Sequence, residues 1–75
     1  MENLKFNATV KRETEKALLL DVEVDTQAGR KGRQIWFPKS QIVSKNKSTY
    51  EFPGWLVRVK EEELGSNVYG ILLVS

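Results

Sequence analysis

Residues 4–25, LKFNATVKRETEKALLLDVEVD, decide the fold class. Leu4, Phe6, Ala8 and Val10 alternate strictly with Lys5, Asn7, Thr9 and Lys11, the period of a strand with one buried face. Leu18, Leu20, Val22 and Val24 form a second apolar set of the same period. A three-residue loop at Glu13, Thr14 and Glu15 would join the two as a hairpin. It would set Val10 opposite Leu18, Ala8 opposite Leu20, Phe6 opposite Val22 and Leu4 opposite Val24. The same register places Lys5 against Glu23 and Asn7 against Asp21 on the outer face, whereas a one-residue slip would oppose apolar residues and charges.

Downstream of the hairpin, TQAGRKGRQ (26–34) reads as a mobile connection punctuated by Gly29 and Gly32, leading into a third strand at QIWF (34–37). Pro38 cannot donate to a ladder, so the strand ends there and PKSQI forms a turn or a single helical turn. SKNKS (44–48) reads as a polar loop, and TYEF (49–52) as a fourth short strand ended by Pro53. PGWLVRVKEEELG (53–65) fits two patterns. As a strand, Trp55, Val57 and Val59 alternate with Leu56, Arg58 and Lys60. As a helix, Pro53 suits the first turn, Leu56 pairs with Val59, and Gly65 terminates. VYGILLVS (68–75) is nearly all apolar, as expected of a strand covered on both sides.

Short strands separated by frequent turns predict a mainly β (β-rich α+β) fold: a small bent antiparallel sheet or partly open barrel of the OB or SH3-like kind, with at most one short helix near 54–64. All 75 residues form one small β-barrel-like domain, because so short a chain cannot divide its apolar residues between two cores. An apolar fraction of 40% beside 29% charged residues is that of a globular domain and not of a disordered tail.

The chain has no cysteine and no histidine. Thiolate and imidazole metal sites, Ser-His and Cys-His nucleophile pairs and imidazole acid–base catalysis are thereby excluded, so the expectation is a non-enzymatic protein with no cofactor and no metal. Asp21, Glu23 and Asp25 share one strand face and could in principle hold a hard cation, but cross-strand partners make a solvated outer face the simpler reading. The run Glu61–Glu63 reads in the same way as a solvated helix end or turn. The first residues lack the apolar run of a signal peptide, and nowhere do eighteen apolar residues follow one another, so the expected location is cytoplasmic, off any membrane.

Charge is segregated along the chain. Residues 26–50 carry six cations and no acid, whereas the other fifty carry six cations and ten acids. The cations Arg30, Lys31, Arg33, Lys39, Lys45 and Lys47 surround the triplet Ile35, Trp36 and Phe37. A strand sends such a triplet alternately to opposite faces, so one aromatic must leave the main core. Two arrangements satisfy this. Trp36 stands outside with Tyr50 as a stacking platform for bases, or it packs with Trp55 and Leu56 as a second small core.

QIWFPKSQIV (34–43) followed by FPGWLVRVKEEEL (52–64) resembles a group of small, mostly uncharacterised proteins encoded by phages and prophages. Their pattern is T-E-K-A-(apolar)-L, then (apolar)-W-(apolar)-P-K-S-Q-I, then P-x-W-L with a charged segment behind it. Thr14, Glu15, Lys16, Ala17, Trp36, Pro38, Lys39, Ser40, Gln41, Ile42, Pro53, Trp55 and Leu56 match it. In that group the residue before the second tryptophan is usually acidic, where this chain has Gly54, and similar proteins often stop before VYGILLVS. The resemblance implies a helix over about 54–64 and a phage or mobile-element setting. It implies no activity.

The leading functional expectation is a binding module for single-stranded nucleic acid, DNA included, with little sequence preference. Arg30, Lys31, Arg33, Lys39, Lys45 and Lys47 would meet phosphates, and Trp36 and Tyr50 would stack on bases. The alternative is a protein-interaction module, docking on a host or phage protein through an edge strand or the face of Trp36 and Trp55.

Overall fold

A computed structural model of the protein describes residues 2–74. Six antiparallel strands and one helix follow one another as β1 (Asn3–Glu13), β2 (Ala17–Thr26), β3 (Gly29–Pro38), a 3-10 turn (Lys39–Gln41), β4 (Ser44–Asn46), β5 (Thr49–Pro53), α1 (Gly54–Glu63) and β6 (Val68–Ile71). The sheet order is β3-β2-β1-β5-β4, with β6 on β2. This is the small β-rich α+β fold expected, with its helix at 54–63. Among the described residues no helix is long and apolar enough to cross a membrane.

The sheet bends until its ends face each other across the core. Phe37 of β3 lies 4.6 Å from Phe52 of β5 and 5.4 Å from Phe6 of β1, centroid to centroid. Around these rings Leu20, Val22, Val24 and Val57 are fully buried. Each fully buried side chain of this size is worth about 1.5–3 kcal/mol, so in a chain this short the cluster carries most of the hydrophobic stabilisation.

The β1–β2 hairpin forms, but its register differs from the expected one by two residues. Ala8 pairs with Val22 and Val10 with Leu20, and a bulge then sets Arg12 against Leu19 and Glu13 against Leu18. An even slip keeps every side chain on its own face, so alternation could not reveal it. Thr14 closes the tip, its Oγ1 accepting the Ala17 N–H at 3.0 Å. Past Ala8 the strands splay: Leu4 and Phe6 pair with Phe52 and Tyr50 of β5, and β6 enters the notch, setting Ile71 against Val24. Val74 completes the wedge by donating its N–H to Lys5 O at 2.9 Å.

Three further expectations are corrected. The stretch TQAGRKGRQ is no mobile connection, because a two-residue turn at Gln27 and Ala28 leads straight into β3, and Arg30, Lys31, Gly32 and Arg33 are paired with β2. The Thr26 hydroxyl builds that turn, donating to Gly29 O at 2.6 Å and accepting from Ala28 N–H at 3.1 Å. Within SKNKS, Ser44–Asn46 is a strand that turns back on β5 through Lys47, held at φ 57°, and Ser48. In the C-terminal run Ile71 is buried but Tyr69 and Leu73 are exposed, so β6 is covered on one side only.

Two glycines permit close approaches that place α1. The Gly54 N–H donates to Glu2 O at 2.8 Å, and a Cβ there would stand 2.9 Å from the same oxygen. A side chain at position 54 would push the N-terminal segment away. At Gly70 a Cβ would lie 2.8 Å from Glu61 Oε2, the atom that accepts the Ile71 N–H at 2.8 Å. Glu61 thus fastens β6 to α1, a structural role that its place in an acidic run concealed.

Candidate interaction surface

The β2–β3 ladder fixes which side chains share a face. Leu18, Leu20 and Val22 oppose Phe37, Ile35 and Arg33 on the core side. Leu19, Asp21, Glu23 and Asp25 oppose Trp36, Gln34, Gly32 and Arg30 on the outer side. Two apolar triplets, Leu18–Leu20 and Ile35–Phe37, therefore meet in register, and each sends its middle member outward. Leu19, half-buried on that face, is a residue that sequence reading missed, although the Leu18–Leu20 triplet signals it.

Trp36 is 41% exposed and Trp55 45%, and the aromatic ring pairs of the described residues all lie in the core. The second small core does not form, and Trp36 stands on the outer face. Leu19 is its cross-strand neighbour, and Arg12 lies opposite Leu19 on the next strand.

The sequence-derived cations do not gather into one groove. Arg30 shares the outer face with Trp36 and sits directly opposite Asp25. Lys31 and Arg33 fall on the core side of β3 past the end of the core, where they border a hollow of about 310 Å³ with Leu64, Asn67 and Val68. Lys39 is paired with the Glu13 carboxylate. That hydrogen bond and charge, with a smaller contribution from Lys45, hold the Glu13 pKa below the usual glutamate range. The stretch lacks acids in sequence, but the fold supplies one from β1. Lys47 is at the β4–β5 turn, and Lys45 of β4 stands over the Tyr50 ring.

Tyr50 cannot serve as a stacking platform. It is 2% exposed, stacked on Phe52 at 6.5 Å, with Lys45 Nζ 5.5 Å from its ring centroid. Asp21 and Glu23 line the outer face between Trp36 and Arg30, and Asp25 lies opposite Arg30. Lys11 Nζ approaches Asp21 at 4.0 Å, and among the described residues no three acidic side chains gather as a metal would require.

The most distinctive feature of this surface is the edge itself. β3 has ten residues, all paired with β2 on one side, and among the described residues no strand pairs with its other side. Its first half carries three cations, a common protection against edge-to-edge association, while Ile35, Trp36 and Phe37 leave its second half uncharged. Compared with known proteins, the chain matches no family model, no curated protein and no solved structure.

Proposed function

We propose that this protein is a non-enzymatic interaction module that takes an extended segment of a partner protein as an added strand along β3. The observation that carries this reading is the ten-residue edge of β3 with the half-exposed Trp36 upon it. Strand addition draws affinity from main-chain hydrogen bonds along the edge and specificity from alternate side chains, for which Trp36 and Leu19 provide an apolar anchor. A library of linear peptides panned against the full chain tests it. Binders should shift the amides of residues 29–38, and N-methylation of alternate peptide residues should abolish binding in one phase and spare it in the other. Binders that map elsewhere, or that tolerate N-methylation in both phases, would remove the reading.

Single-stranded nucleic-acid binding is the second reading, favoured by the outward ring of Trp36 on the same strand as Arg30, Lys31 and Arg33. It has lost Tyr50 to the core and Lys39 to Glu13, and two acids lie between its tryptophan and Arg30, with a third opposite Arg30. Three or four neutralised phosphates would give a slope of log K against log salt of about −2 to −3. Absence of binding to labelled oligonucleotides in low salt ends it.

A further inference from the structure

Resting on the strand-addition reading, we infer that the occupant of the β3 edge is an acidic extended peptide segment, lying antiparallel, with one apolar residue followed by acids at the third, fifth and sixth positions after it. The spacing comes from the register. An antiparallel strand whose first residue faces Trp36 places its next residues opposite Ile35, Gln34, Arg33, Gly32, Lys31 and Arg30 in turn. The apolar residue and the last acid share the outer face with Trp36 and Arg30, and the two middle acids share the core-side face with Arg33 and Lys31. Lys31 and Arg33 therefore await the ligand on the core-side face of its second half, whereas on the outer face Arg30 stands beside the acids of β2; β3 itself contributes no acid. The hollow of about 310 Å³ beside Lys31 and Arg33 has room for carboxylate side chains.

Charge and hydrogen bonding narrow the occupant. A second copy of β3 in full antiparallel register would set Arg30, Lys31 and Arg33 opposite Phe37, Trp36 and Gln34, and so would offer these cations no acid. A phosphodiester offers acceptors to the N–H groups of the edge but no donors to its C=O groups, whereas a peptide satisfies both. Arg30 already faces Asp25, so Lys31 and Arg33 carry most of the selection.

The test is an amide-shift titration of the full chain with a capped heptapeptide bearing leucine at its first position, glutamate at its fourth, sixth and seventh, and threonine elsewhere. Its charge-reversed lysine counterpart and a short oligonucleotide serve as the other ligands. The acidic peptide should shift the amides of 29–38 and bind at least about tenfold more tightly than the basic one. The double variant Lys31→Glu, Arg33→Glu should reverse that order, and Lys31→Gln, Arg33→Gln should level it should the reversal variant fail to fold. Equal binding of both peptides at β3 would overturn the acidic partner while leaving strand addition standing. If neither peptide shifts β3 at millimolar concentration, or the oligonucleotide alone does so, the inference is overturned.

Discussion

The two edges of β2 are built in opposite ways. Towards β3 it forms ten consecutive pairs without a break, from Ala17 with Pro38 to Thr26 with Gly29. Towards the other side it is shared: β1 takes Leu18 to Val22 through a bulge, and β6 takes Val24 to Thr26 through a second irregularity. The unbroken edge is a local hairpin that a two-residue turn suffices to close. At the shared edge a local hairpin is completed by β6, more than forty residues further along, and that junction depends on particular side chains and close approaches, Glu61 and Gly70 among them. The contrast teaches that stability held by side chains gathers at the shared edge, whereas the outward side chains of β3 are left available for a ligand.

Substitutions on either side can break that contrast. Ile71→Ala, at the heart of the shared edge, should lower the unfolding free energy by about 2–5 kcal/mol in urea melts. Next, Glu61→Ala should cost about 1–3 kcal/mol by leaving the Ile71 N–H without its acceptor, and Glu61→Gln, which keeps an oxygen there, should cost clearly less. On the other side, Trp36→Ala should change stability by no more than about 1 kcal/mol while abolishing the binding of β3 ligands. A loss as large as that of Ile71→Ala would show that the outer face is structural and dissolve the asymmetry.

The smallest effect is electrostatic. With its folded pKa below the unfolded value, Glu13 contributes stability that is fully present above the unfolded pKa and is lost as pH falls through the folded one. Carboxyl chemical shifts followed through the acid range should place the Glu13 midpoint below the usual glutamate range, and Lys39→Met should raise it towards that range.

How much of this was legible beforehand follows from what alternation encodes. Phe6, Ala8, Leu18, Leu20, Val22 and Val24 were assigned to the core by period alone, and all are buried. Partners and register were not available from the same signal, since a two-residue slip preserves every face and nothing in VKRE announces the bulge. The helix could be read from Pro53 and Gly65, but Val57 is buried beside Leu56 where Val59 was expected, and Val59 is exposed. For the candidate surface, the outward aromatic followed from the Ile35–Phe37 triplet. The charges were legible as charges, but their neighbours were not. Asp25 opposite Arg30 and Glu13 beside Lys39 arise from strand pairing, which brings together residues that the sequence keeps far apart.

The wedge of β6 between β1 and β2 bears on how the chain is made. Both walls of the notch emerge from the ribosome well before the strand that fills it. At about 5–20 residues per second the interval from Thr26 to Val68 lasts roughly 2 to 8 s. Until then Val24 has no Ile71 to pair with, and the fastening carboxylate of Glu61 is made only ten residues before the amide it is to hold. The sheet of this small domain therefore cannot be completed before one of its last-made segments is available.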